Sequence, residues 1–182
     1  VEEIAAHAGL TERTFFRYFS DKREVLFSGS KELEKALVDA VANAPKNAAP
    51  LDVVGDAFEK AGVVLQFLRE FSYVRARYAL VVEHAELRER ELIKLASLAA
   101  VVTKSLHTRG VSEPFASMAA EAGSAAFKVG FQRWVTGHKP QDVATHIRAA
   151  LSAPKDVAAE ASVSPPPAKT AKRSAATRAR ST

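Results

Sequence analysis

The chain has 182 residues and a mass of 19.6 kDa, enough for one globular unit or two small ones. Apolar residues make up 47% and charged residues 26%, which allows a sizeable core and excludes wholesale disorder. There is no cysteine, so disulfide frameworks, thiolate metal sites and cysteine nucleophiles are excluded. No apolar run reaches the roughly 18 residues that span a bilayer, and no basic segment precedes an apolar run at the start, so a cytoplasmic protein is expected. The formal charge of +5 is uneven: after residue 152 six basic residues face two acidic ones, and the rest is close to neutral.

Residues 1–19 predict two short helices with a sharp turn between them. Ile4, Ala5 and Ala8 share one face of the first. Gly9 follows, where a positive φ is cheapest, and Leu10 is placed to plug the corner. Thr11 is a natural N-cap for the second helix, and Glu12 suits its dipole. Phe15 and Phe19 fall on the inner face, and Arg13 and Arg17 point elsewhere. A second helix set in this way fits the major groove, with its first residues at base edges. Arg13 is the leading candidate for a bidentate guanine contact, with Thr11, Glu12, Thr14 and Arg17 beside it. Tyr18 and Lys22 are placed to hold phosphates, Lys22 also lying at a helix N-terminus that favours anions. A plain hairpin with two solvated arginines would share that pair alone. The Gly turn, the capping Thr and the two inner Phe make the pattern more demanding.

Further along, the periodicity is helical throughout. A helix over 21–43 carries Leu26, Ser30, Leu33, Leu37 and Val41 in one stripe, with Asp21 and Glu24 as a capping box. Further helices are predicted over 50–71, with Pro50 in the first turn, and over 72–84. A long one follows over 86–108, ended by Gly110. The last two cover 113–136 and 140–151. From Ala153 the Ala, Ser, Pro, Lys and Arg composition predicts disorder. The fold class is therefore all-α. Residues 1–43 form a partial helix-turn-helix domain with a connecting helix, 44–152 a helical effector and dimerisation domain, and 153–182 a basic tail, able to bind DNA nonspecifically or only to solubilise the chain.

The segment 1–26 resembles the DNA-binding segment of TetR-family transcriptional regulators. The resemblance rests on Ile4-Ala5, Ala8-Gly9-Leu10-Thr11, Thr14, Phe15, Tyr18-Phe19, Lys22 and Leu26. It implies an all-α bacterial homodimer in which a DNA-binding domain precedes a variable helical domain that binds a small effector. Effector binding releases operator DNA. It implies a further helix ahead of Val1, since the family's first helix has no counterpart here. Phe16 stands where the family commonly has Tyr, so a phenolic phosphate contact is lost. The stretch 75–100, with Glu-Leu-Arg-Glu-Arg-Glu-Leu at 86–92, is similar to a subgroup in which some members respond to acyl-CoA-like ligands.

An effector pocket is expected between helices of the body, near the aromatic-rich stretch 58–82. Its candidate lining is Phe58, Phe67, Phe71 and Tyr78, with ordinary core as the competing reading. Arg69, Arg75 and Arg77 either meet an anionic headgroup or form a solvated face. In the 113–136 helix, small residues step by four toward large aromatic ones. Ala119, Gly123, Phe127, Gly130 and Trp134 are therefore the candidate dimer interface, shared with the 86–108 helix; packing within the chain fits the same pattern. A homodimer suits a pseudo-palindromic DNA site.

Two other classes compete with this reading: a helical protein-interaction module without DNA binding, and a small-molecule-binding enzyme. The five histidines show no metal-ligand spacing, and Glu83-His84-Ala85-Glu86 diverges on a helix. Ser28-Gly29-Ser30-Lys31 matches Ser-x-x-Lys without its companion motifs. No enzyme activity, metal or cofactor is expected.

Overall fold

The computed structural model describes residues 1–137 and 142–163, with side chains as far as residue 153. His138, Pro140 and the tail from 164 onward lie outside the described residues. Eight α-helices and one 3-10 helix are present among the described residues, and no strand. They are α1 (Glu2–His7), α2 (Glu12–Tyr18), the 3-10 helix Lys22–Phe27, α3 (Ser30–Ala42), α4 (Pro50–Leu68), α5 (Phe71–Glu83), α6 (Ala85–Thr108), α7 (Phe115–Thr136) and α8 (Val143–Val163). The chain divides after Ser152, and Val1–Ser152 forms one compact unit. The helical run of α8 continues to Val163, past the residue where disorder was expected to begin.

The core of the first unit lies among α3, α4, α6 and α7, with α5 and the start of α8 closing it. Trp134, Phe58, Leu37, Leu106 and Ile147 are its largest fully buried side chains. Two ties across the bundle hold helix ends in place. The Arg109 guanidinium, at the end of α6, donates to the carbonyls of Val41, Ala44 and Pro45 at 2.7–3.0 Å. It thereby caps the C-terminal end of α3, whose last carbonyls have no partner within the helix. Arg148 of α8 pairs with Glu59 of α4.

The stripe read as one helix over 21–43 is broken. Gly29 has φ +100°, in the left-handed region, so the 3-10 helix and α3 are separate pieces meeting at an angle. Apolar spacing alone did not mark this break, because Leu33, Leu37 and Val41 continue the pattern on the far side. α3 buries Leu37 and Val41 completely in the bundle core. The segment between α2 and α3 is therefore the joint between the opening helix pair and the bundle. The Ser-x-x-Lys match falls on this joint, with the Ser28 and Ser30 hydroxyls donating to the carbonyls of Val25 and Phe27.

Candidate nucleic-acid interface

The opening pair is built as its sequence demands. Ala5 of α1 and Phe15 of α2 are 1% and 2% exposed and form the contact between the helices. Gly9, at φ +67°, turns the chain, and the Leu10 amide returns to the Ala5 carbonyl at 2.8 Å. Leu10 itself is exposed, so it does not plug the corner. The Thr11 hydroxyl accepts from the Thr14 amide at 3.2 Å, which makes Thr11 the N-cap of α2, and the two hydroxyls are 2.9 Å apart. Phe19 packs on Phe15 with ring centres 5.1 Å apart.

The opposite face of α2 is open. Glu12, Arg13, Phe16 and Arg17 are all exposed, as is Tyr18. Arg17 lies over the Tyr18 ring at 4.9 Å and donates to its hydroxyl at 3.1 Å, so the two present one cationic, aromatic corner. Thr14 is half-buried and its hydroxyl faces the cap. Lys22 is exposed, but its helix N-terminus is already filled. The Asp21 carboxylate accepts from the amides of Arg23 and Glu24 at 2.7 and 3.2 Å. The expected anion site at that end is therefore taken by the chain's own carboxylate.

Asp21 begins a clamp that sequence reading did not find. Its two oxygens each take a bond from Arg90 at 3.0 Å. Arg90 also pairs with Glu24 at 3.3 Å, Lys94 with Glu24 at 3.6 Å, and Arg23 with Glu86 at 3.1 Å. Arg77 of α5 donates to the Leu26 carbonyl at 2.6 Å while paired with Glu91, and its guanidinium covers the Phe27 ring. Phe27, Val81 and Leu87 form a small apolar cluster beneath. These contacts fasten the joint to α5 and α6. The acid-base run at 86–94 was visible in the sequence; its partners at the joint, Asp21, Arg23 and Glu24, more than sixty residues away, were not.

The joint has a predictable pH response. Partial burial pushes the Asp21 carboxyl up, but the bonds from Arg90 and from the amides of Arg23 and Glu24 outweigh it and hold the group below its ordinary value. The clamp's contribution is then complete above the unfolded aspartate range, near pH 4, and is lost as pH falls through the lowered folded value. Asp21→Asn keeps a good helix cap and removes the charge. Its melting temperature should lie below the parent's by a constant amount from pH 8 to pH 5, and the gap should close below about pH 4. A gap that persists in strong acid would show that charge is not the cause.

The pocket expected from aromatic residues is placed differently. Phe58 is fully buried, its ring 5.5 Å from Phe127. Phe71 packs on Trp134 at 5.0 Å. Phe67 is 87% exposed at the end of α4. Two clefts lie elsewhere among the described residues, and of the four Tyr78 alone lines either of them. One lies at the joint between Ser28, Leu33, Arg69, Lys94 and Leu98. The other lies between α5, α6 and α7 beside Tyr78, Leu92 and Lys128. Both reach Glu91, Leu95, Phe127 and Phe131.

The expected dimer residues are likewise turned inward. Ala119, Phe127 and Trp134 are 7%, 6% and 1% exposed. A Cβ on Gly123 would meet Val54 and Phe58 of α4, and one on Gly130 would meet the backbone of Ile147 and His146 in α8. The small residues admit neighbouring helices of the same chain. The face of α7 that stays open carries Phe115, Met118, Ala122, Ala125 and Val129. Phe115 and Met118 are 66% and 69% exposed, and the five follow a heptad spacing.

No helix among the described residues is long and apolar enough to cross a membrane. No curated protein matches the chain. Residues 1–28, up to the break at Gly29, match the family model described as bacterial regulatory proteins, tetR family. With the helix-turn-helix geometry above, this match over the opening segment supports a TetR-type DNA-binding transcriptional regulator.

Proposed function

We propose that the chain is a homodimeric repressor that leaves its operator when a small, largely apolar effector occupies the body. One observation carries the DNA reading: α2 buries Phe15 and turns Glu12, Arg13, Phe16 and Arg17 outward from a capped N-terminus. Arg13, in the first turn, is the base reader, pairing with guanine in the major groove. Thr11, Glu12 and Thr14 border it, Phe16 offers apolar contact, and Arg17, Tyr18 and Lys22 hold phosphates. The body supplies a dimer through the open seam of α7, so that two α2 helices stand about one DNA turn apart, ~34 Å. An effector changes DNA affinity only by binding one arrangement of the reading helices better than the other. The cleft lined by Leu26 to Ser30 reaches the joint that fixes α2 to the bundle, which supports a route for that difference.

The test is selection of bound sequences from a random duplex library, followed by mobility shift on the selected site. Arg13→Ala should weaken binding by about 1–3 kcal/mol and relax the preference at one base position of each half-site. Equal weakening on every sequence would mean that Arg13 touches phosphate alone. Absence of any selected sequence would favour the rival reading, a helical interaction module.

A further inference from the structure

Resting on the regulator and dimer reading above, we infer that Arg90 is a positioning residue for DNA recognition. By its hold on Asp21 and Glu24 it sets which separation of half-sites the protein accepts.

Little else aims the reading helix. α1 and α2 pack chiefly on each other and share no comparable contact with the bundle. Between α2 and α3 the chain is helical only over Lys22–Phe27. Phe19, Asp21 and Ser28 are extended, and Gly29 is left-handed. No continuous ladder of backbone bonds therefore carries direction from α3 to α2, and side chains must supply it.

Those side chains act at two places. Near Gly29, Arg77 of α5 holds the Leu26 carbonyl, and Arg69 donates to the Ser28 hydroxyl at 3.1 Å. Near the reader, three residues past Tyr18, the Asp21 carboxylate accepts from Arg90. The first group fixes where the joint leaves the bundle. The second fixes the direction in which α2 departs, since a rod held at both ends cannot swing.

The pairing has a register. In a 3-10 helix, residues three apart stack on one edge, about 6 Å apart along the axis. In an α-helix, residues four apart share a face at the same step of about 6 Å. Asp21 and Glu24 therefore match Arg90 and Lys94: Arg90 bridges both acids, and Lys94 takes Glu24. Glu86, one turn earlier on the same stripe of α6, takes Arg23. The flat guanidinium of Arg90 fixes direction as well as distance, which an ammonium does not.

Spacing follows from that angle. Each base pair added between half-sites moves them apart by about 3.4 Å and turns one against the other by about 35°. Two readers fixed in angle meet one separation, and two readers free to swing meet several.

The test uses the full chain and duplexes with two copies of the selected half-site, their separation varied by one and two base pairs either way. The parent should bind the best separation about tenfold more tightly than those two base pairs from it. Arg90→Gln should bring all separations within about threefold of one another, while base preference and affinity for an isolated half-site stay as in the parent. Arg90→Lys should recover part of the profile. Arg88→Gln should match the parent, because Arg88 is exposed and donates to the Val82 carbonyl instead. An Arg90→Gln profile as sharp as the parent's would overturn the assignment. So would a uniform loss that includes the isolated half-site, which marks damage to the reader itself. Failure of the broader reading looks different: a parent that selects no sequence removes the regulator, a parent indifferent to separation removes the dimer, and either takes this inference with it.

Discussion

Trp134→Ala is expected to cost about 3–5 kcal/mol of folding stability, and Gly130→Ala about 1–3 kcal/mol. Trp134 is 1% exposed and touches Phe71 at 5.0 Å and Phe131 at 5.7 Å between ring centres. Truncation there removes the largest side chain of the core and leaves a cavity that rigid helices cannot close. Gly130 acts in the opposite sense. An added methyl would lie 2.6 Å from the Ile147 Cα and 2.7 Å from its amide nitrogen, and backbone cannot swing aside. α8 would have to move away from α7. At Gly123 the close atoms are the side chains of Val54 and Phe58, one β-branched and one aromatic, both fully buried and with little room to give. Gly123→Ala should therefore also cost about 1–3 kcal/mol. In a domain of this size each kcal/mol lowers the melting point by roughly 2–4 °C, so thermal unfolding resolves all three variants. The shifts should be the same in dilute and concentrated samples. A Gly130→Ala variant with unchanged melting but altered oligomeric mass would mean that this glycine serves contact between chains.

The same residues show what the sequence could and could not disclose. The opening hairpin was legible because its determinants are local. A Gly turn, a capping Thr and Phe at i and i+4 lie within eleven residues of one another. Fold class and nearly all helices were legible from period and prolines for the same reason. The break at Gly29 was hidden because apolar spacing ran across it. Small residues at four-residue steps in α7 correctly signalled close helix approach, but such a stripe is identical whether the neighbour is the same chain or another. Deciding that needs α4 and α8 in position. The aromatic residues of 58–82 were sound core candidates and poor pocket candidates. Phe58, Phe71 and Tyr78 meet Phe127, Trp134 and Phe131, rings supplied by α7. The clefts are what remains after that pairing, and their charge comes from residues scattered between Arg69 and Lys128. The clamp at the joint was unreadable for the same reason. Asp21 and Arg90 are visible as charges, and nothing local tells which opposite charge each will meet.

Once α4 and α8 have claimed the small residues, the proposed dimer must use what they leave. Met118→Glu combined with Ala125→Glu should convert the protein to a monomer while changing protomer stability by no more than about 0.5 kcal/mol. Met118 is 69% exposed, and Ala125 is exposed too, so a carboxylate at either position stays in water in the single chain. In a two-fold dimer each substitution occurs twice on one self-complementary face. Four carboxylates would be driven into an apolar seam with no counter-charge supplied, and burying unpaired charge costs several kcal/mol per ion. Glu121 already flanks the seam and adds to the repulsion, whereas Lys128 lies nearer its other end. Sedimentation should report half the parent mass. The consequence for DNA is larger than for mass. A monomer holds one half-site at a time and loses the effective concentration that a joined second reader provides, a factor of about 10²–10⁴ in affinity. Anisotropy titration on a palindromic duplex should show that loss, while binding to an isolated half-site stays as in the parent. A double variant that remains dimeric would move the interface off the α7 seam, to the exposed apolar residues Leu92 and Ile93 of α6.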